Sequence, residues 1–492
     1  MDRSIRRLGV FLMVLFCALF AQLNYIQAWR APDLNTKPGN TRPVDQSFSR
    51  PRGTVSTADG VVISRSVKSN DRYEYQRDFP QGELYASMTG YFNYSFGATG
   101  LERAYNEELS GRTTGQQVKS IGDLFVDKDR TGNLKLTVRS DVQAVAKAAL
   151  GNQKGTVVAL DPKTGGVLAL WNWPSFDPNK LSGHNLDAAE RAKAFYEAAP
   201  GNPLLAKSYR EIYPPGSTFK VVTGSAAVET GAVTPTAPVY PTLTALDVPG
   251  TQRDLPNFGG NPCGGTLFPI LARSCNTSFA QMGLDLGGPA LLAGAQSFGF
   301  NQTPPFDLPA VTSNFPADFS DNQPALAQSA IGQNSVAATP LQMALVAAGI
   351  ANDGVIMEPH VVDEIRDGEG DLVRRLDPTQ WKRAVSAQTA DIMRQGMREV
   401  VANGSATRLQ IAGLDVGAKT GTAQFGRAPL KSHAWVIAWA GPAGQAPTVV
   451  VAVLVEGQDG ASEQTGGRVA APIAKQVIEA AMKPLPAPPG GN

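Results

Sequence analysis

The stretch Tyr213-Pro214-Pro215-Gly216-Ser217-Thr218-Phe219-Lys220, followed by the Ala- and Val-rich run from Val221 to Val228, decides how this chain is to be read. Prolines just before a helical run mark its start, because the first helical amides have no intrahelical partner to lose. That places the Ser217 hydroxyl at a helix N-terminus, where the backbone dipoles favour developing negative charge. Lys220 stands three residues on, so both side chains project from one face. An amine activates a hydroxyl only when neutral, and at the unperturbed pKa of ~10.4 fewer than about one lysine in a thousand is neutral at pH 7. The reading therefore demands burial and a second nearby cation to depress Lys220. Alone, Ser-x-x-Lys also describes an ordinary solvated helix start.

Two further elements lie downstream. Ser274-Cys275-Asn276 offers a hydroxyl and a carboxamide two positions apart, able to relay a proton and to hydrogen-bond a peptide. Its bland reading is a helix N-cap before Thr277-Ser278-Phe279. Lys419-Thr420-Gly421-Thr422 supplies a cation, a glycine that permits close backbone approach, and an N–H that could serve an oxyanion. Its competitor is a phosphate loop, since Gly413 to Thr420 differs by one residue from G-x-x-x-x-G-K-[ST], with Ala418 in place of the second glycine. Such a loop needs a helix straight after Lys-Thr, whereas Gly421, Gly426 and Pro429 followed by a strand stand here.

A chain of 492 residues exceeds one hydrophobic core and predicts two or three domains. Net charge is +1, which provides no case for nucleic acid as a partner. The three histidines, His184, His360 and His433, are far apart, poor material for a metal site or a Ser-His-Asp triad. No metal and no cofactor is expected. At the N-terminus, Arg3, Arg6 and Arg7 precede an apolar run from Leu8 that continues to Ile26, close to the ~20 residues a spanning helix needs. No small-x-small cleavage site follows, so the run is read as a retained anchor rather than a signal peptide. The arginines before it and Trp29 after it place the N-terminus inside and the bulk of the chain outside the cytoplasm. Cys263 and Cys275 would then meet an oxidising environment, and a bridge and two buried thiols remain equal alternatives.

From Arg30 to about Gln46 the chain is polar and proline-punctuated, as a linker is. Alternating residues around Asp59-Gly60 predict a hairpin, and "LKLTVRS" followed by "DVQAVAKAAL" a strand and an amphipathic helix. A new pattern starts at Thr156, where "TVVALD" and "GVLALWNW" read as two strands joined by a turn. Strands "HAWVIAWAG" and "TVVVAVLVE" and a helix from about Ala471 to Met482 close the chain before a Pro- and Gly-rich tail.

The order of the three elements, with Pro-Pro-Gly before the serine, resembles the penicillin-binding proteins and serine β-lactamases, whose S-x-x-K, S-x-[ND] and K-T-G elements share one cleft. "RGTVSTADG" at Arg52, "GLERAYNEELSG" at Gly100, "GTVVALDPKTGGVLAL" at Gly155 and "IGQNSVAATPLQMALVAAGIANDG" at Ile331 are similar to class B penicillin-binding proteins and, within them, to the actinobacterial penicillin-binding protein A group of septal or polar wall synthesis. The resemblance implies an α+β fold: a transpeptidase domain with an antiparallel sheet flanked by helices, an N-terminal α+β dimerisation-like module and one transmembrane anchor. The boundaries expected are 1–30 for the cytoplasmic tip and anchor, 31–152 for the non-catalytic module, 153–483 for the transpeptidase domain and 484–492 for a disordered tail.

It also implies roles. Ser217 would be the acylated nucleophile, Lys220 its base, Ser274 a proton relay to the leaving amine, and Asn276 a holder of Lys220 and the donor peptide. Lys419 would tune the local potential. Thr420, Gly421 and Thr422 would hold the substrate, with the Ser217 and Thr422 amides as oxyanion hole. The activity implied is peptidoglycan DD-transpeptidation, with carboxypeptidation as a variant of it and β-lactams as inhibitors. The partners implied are stem peptides, the cytoplasmic membrane and a membrane glycosyltransferase. From Asn276 onward the first glutamate is Glu358, which leaves the deacylating machinery of a class A β-lactamase without its residue. The rival from another class is a weakly catalytic scaffold or a β-lactam sensor, although a sensor needs more than one anchor and a cytoplasmic domain.

Overall fold

The computed structural model describes residues 2–30, 42–113, 131–320, 322–425, 431–457 and 465–487. They belong to two units, 1–51 with 67–76 and 52–66 with 77–492.

In the first unit the apolar run forms helix α1 (Asp2–Tyr25). Its stretch Arg3–Tyr25 has a mean hydropathy of 2.0 and is long and apolar enough to cross a membrane. Residues 31–41 of the expected linker lie outside the described residues, but its end is not extended: Arg42–Phe48 is helix α2. Pro43 stands in the first turn, where a missing N–H costs nothing. Phe48 is buried, its ring 5.6 Å from that of Tyr73. The polarity of the segment hides this single anchoring aromatic.

From Arg52 onward, β1 (Val55–Ser56) and β2 (Val62–Lys68) form the predicted hairpin, with Val55 opposite Ser64. β3 (Tyr75–Asp78) and β4 (Asn133–Leu136) extend this sheet, β4 lying parallel to β1. After helix α3 (Ser140–Leu150) come β5 (Gly155–Leu160) and β6 (Val167–Trp173), the second predicted pair. Helices α4 (Lys220–Glu229), α5 (Asn276–Ser297) and α6 (Pro340–Ala351) follow. Then come β7 (Val362–Arg366), β8 (Leu372–Arg375), α7 (Ala387–Ala402), β9 (Leu414–Phe425), β10 (Lys431–Pro442), β11 (Val449–Val455) and α8 (Ala471–Ala481).

The central sheet has the order β9-β10-β11-β5-β6 and is antiparallel throughout. Every residue of β5 and β11 is buried, as expected of continuous apolar runs covered on both faces. The wholly buried α6 packs on β5, β10 and β11, while α8 packs on β10 and β11 and α3 on β6. A second sheet, β8-β7-β4-β1-β2-β3, takes β7 and β8 from beyond residue 360. It therefore draws strands from both sides of residue 152, where the sequence reading divides the chain, and the upstream helix α3 lies on the central sheet. Long-range pairing of this kind leaves no local trace in a sequence. Inside the second unit Arg52 and Arg77 close on the buried Glu102, at 3.0 and 2.7 Å, and Ser64 Oγ donates to the same carboxylate.

Candidate active site

β9 is the edge strand of the central sheet and sets Lys419, Thr420, Gly421 and Thr422 opposite Ile437, Val436, Trp435 and Ala434 of β10. Its continuation to Phe425 removes the phosphate-loop alternative, because no helix follows Lys-Thr. Ser217 lies in a tight turn, a 3₁₀ segment Gly216–Phe219 that leads into α4. Side chains three apart eclipse in such a turn, which aligns Ser217 with Lys220 more closely than an α-helix would. The turn is pressed against β9. A Cβ on Gly421 would stand 3.0 Å from Pro215 O, Thr218 Cγ2 and Trp435 Cβ, so the close approach needs glycine. Trp435 Nε1 donates to Pro214 O at 3.0 Å, and the Gly216 amide to Gly332 O at 2.9 Å.

Lys220 and Lys419 are both fully buried. Lys220 Nζ donates to Asn276 Oδ1 at 2.6 Å and to Ser274 O at 2.8 Å, with Ser274 Oγ at 3.4 Å. Lys419 Nζ donates to Ser274 Oγ at 2.8 Å and to Thr420 O at 2.9 Å. Every acceptor is neutral. Burial, and after it the charge of Lys419, hold Lys220 well below the ordinary lysine range. Burial alone brings Lys419 down to about 7. The condition that the sequence imposes on Lys220 is thus met by the fold.

Helix α5 begins at Asn276, two residues after Ser274, so the N-cap reading of Ser274 fails. Ser274 has φ 61°, in the left-handed region, and Cys275 after it is bridged to Cys263. Of the two alternatives for these cysteines, the structure contains the disulfide. Cys275 occupies the N-cap position without a side-chain cap bond. The missing acceptor comes from Asn257, which sequence reasoning overlooked: its Oδ1 takes the Asn276 and Thr277 amides at 2.8 and 3.0 Å. Asn257 Nδ2 donates to Leu243 O and Asn261 O, tying its loop together. Ser405 was overlooked as well, its Oγ 2.6 Å from Thr420 Oγ1. Neither residue has a local signal, since each acts on a segment distant in sequence.

Ser217, Ser274, Asn276, Thr420 and Thr422 line one cleft of about 960 Å³. Its wall combines hydroxyls and a carboxamide with two buried amines behind them, a set suited to acyl transfer to and from a serine. Among the described residues, Asp367, Glu369 and Asp371 lie close enough together for an ion, but Asp367 Oδ1 already accepts the amides of Glu369 and Asp371.

The family model for the penicillin binding protein transpeptidase domain matches residues 155–479, and that for the penicillin binding protein A dimerisation domain matches residues 52–134. The chain belongs to the class B penicillin-binding proteins. It is 40% identical to the peptidoglycan D,D-transpeptidase PbpA of Mycolicibacterium smegmatis, over 98% of this chain and 99% of that protein. It is 37% identical to PbpA of Mycobacterium tuberculosis H37Rv, over 99% of this chain and all of that protein. Among solved structures, penicillin-binding protein A of M. tuberculosis as its ceftriaxone acyl-enzyme superposes with TM-score 0.83 at 35% identity, over 89% of this chain and 100% of that one. Its imipenem acyl-enzyme superposes with TM-score 0.81 at 37% identity, over 88% of this chain and 99% of that one.

Proposed function

We propose that this chain is a serine-type peptidoglycan DD-transpeptidase held in the cytoplasmic membrane by α1, with residues 153–483 as its catalytic domain and 31–152 as its non-catalytic module. One observation carries the reading: two fully buried lysines share Ser274 Oγ while Asn276 holds one of them at 2.6 Å, all beside the cleft that Ser217 lines. Neutral Lys220 takes the Ser217 proton as Oγ bonds to the carbonyl carbon of the penultimate D-alanine. The amides of Ser217 and Thr422 receive the oxyanion. The peptide C–N bond then breaks, and Ser274 passes a proton to the leaving D-alanine nitrogen. An acceptor amine attacks the ester, restores Ser217 and forms the cross-link; water in its place gives carboxypeptidation. Lys419 keeps the potential positive, and Thr420 and Thr422 hold the substrate carboxylate. Arg3, Arg6 and Arg7 in the first turns of α1 support a catalytic domain outside the cytoplasm, and the non-catalytic module is the surface for a membrane glycosyltransferase.

A β-lactam acylates the same hydroxyl, but its nitrogen stays tethered and bars the acceptor. Among the described residues, Asp254 is the one acid lining the cleft, and Glu358 does not line it. Acylation should therefore be fast and release slow. Fluorescent penicillin should label Ser217, mapped by mass analysis, and purified protein should release terminal D-alanine. After a chase with unlabelled drug, free protein should not return within seconds. Rapid recovery would reveal a deacylating base and favour a β-lactamase; absence of labelling would leave a scaffold.

A further inference from the structure

The three elements leave part of the cleft wall without a task. It is formed by the loop from Val248 to Gly260 and by Arg273, which directly precedes Ser274. Among the described residues its charged lining is Arg253, Asp254 and Arg273, which makes this wall net positive. Both arginines are exposed, and among the described residues neither has a carboxylate partner. Two arginines against one carboxylate give this wall a positive field that complements an anion arriving with the ligand.

The wall is also anchored to the reacting groups. Asn257 binds the first amides of α5, and Asn276 Nδ2 donates to Pro256 O at 3.0 Å. Arg253 is four residues from that anchor. Arg273 Nη2 donates to Gly264 O, which orients the guanidinium and leaves its other N–H groups available. Phe258, 57% exposed on the same wall, adds an apolar platform for the stem of a side chain. A planar fork of donors matches a carboxylate, the anionic group that peptides carry.

We propose that Arg253 and Arg273 form a carboxylate-reading subsite, which selects donor peptides bearing a free carboxylate upstream of the scissile bond over those in which it is a carboxamide. This rests on the acyl-enzyme reading of Ser217. The test uses two acetylated peptides ending in D-Ala-D-Ala, identical except for one side-chain carboxylate or carboxamide. Each competes with fluorescent penicillin for Ser217, and the concentration that halves the labelling rate is compared within each protein, so that any general loss cancels. In the full-length wild type the acidic peptide should act at about a tenfold lower concentration, a ratio that shrinks with salt because the groups are exposed. Arg253→Gln with Arg273→Gln should bring the ratio to about one, and Arg273→Glu alone should invert it. Equal competition by both peptides in the wild type, no competition by either, or a ratio unmoved by the substitutions would overturn the proposal. Loss of penicillin labelling in the wild type would instead overturn the acyl-enzyme reading, and the subsite with it.

Discussion

Among the described residues, Lys220 and Lys419 share Ser274 without a carboxylate partner, whereas Arg52 and Arg77, also buried, close on Glu102. In the first cluster burial acts almost unopposed and lowers both amines, one of them to about 7. In the second, burial lowers Arg52 only to about 10, where it stays charged at neutral pH. Burial pushes Glu102 up, but Arg77, Arg52 and Ser64 outweigh it and hold the carboxylate below its ordinary value. Charge buried with its counter-ion becomes architecture. Buried without one, an amine is pushed toward its neutral form, the form a base needs.

The sharpest break in this contrast comes from the reactive side. Ser217→Ala should abolish covalent penicillin labelling without lowering the melting temperature, and Lys220→Met should cost about 10³-fold in acylation, since base and nucleophile act as a unit. The Met variant should melt no lower than wild type, because an amine without a counter-ion has left the interior. A large fall in its stability would place Lys220 with Arg52 as a structural charge.

Glu102→Gln should do the reverse. It leaves two buried arginines uncompensated, which costs about 3–5 kcal/mol in denaturant unfolding. Acylation of the folded fraction should not change. A loss of labelling greater than the loss of fold would show the two clusters to be coupled.

Lys419→Ala sharpens the comparison through pH. On the proposed mechanism the acid limb of acylation arises when Lys220 gains a proton, which the charge of Lys419 opposes. Removing it raises the Lys220 pKa, so the acid limb should move to higher pH in stopped-flow profiles. A limb that stays in place would mean that burial alone depresses Lys220.

The smallest effect expected is at Asn257, which belongs to neither cluster but holds Asn276 in place. Asn257→Ala removes a cap worth about 1 kcal/mol. It should slow acylation by about tenfold, since misplacement by 1 Å can cost about 10²-fold. Asn257→Asp keeps the acceptor and should recover most of the stability in thermal melts.

Much of this was legible in the chain. Strands such as Gly155–Leu160 and Val449–Val455 are apolar runs bounded by turn residues, and the requirement that Lys220 be buried beside a cation followed from the chemistry of Ser217 alone. The helix at Arg42–Phe48, the insertion of β7 and β8 beside β4, and the acceptors Asn257 and Ser405 were not legible. Each depends on a partner distant in sequence, and periodicity reports only neighbours.

The sequence by itself determined most of the strands and helices, an N-terminal run long and apolar enough to cross a membrane, and the residues proposed to react, because residue type and local spacing carry that information. Tertiary structure decided which lysine is the second cation, that Cys263 and Cys275 are joined, and that Ser274 stands between Lys220 and Lys419. The physical reason is that a pKa, a disulfide and a shared hydrogen bond are properties of distance and burial, and a separation of 145 positions between Ser274 and Lys419 specifies neither until the central sheet forms.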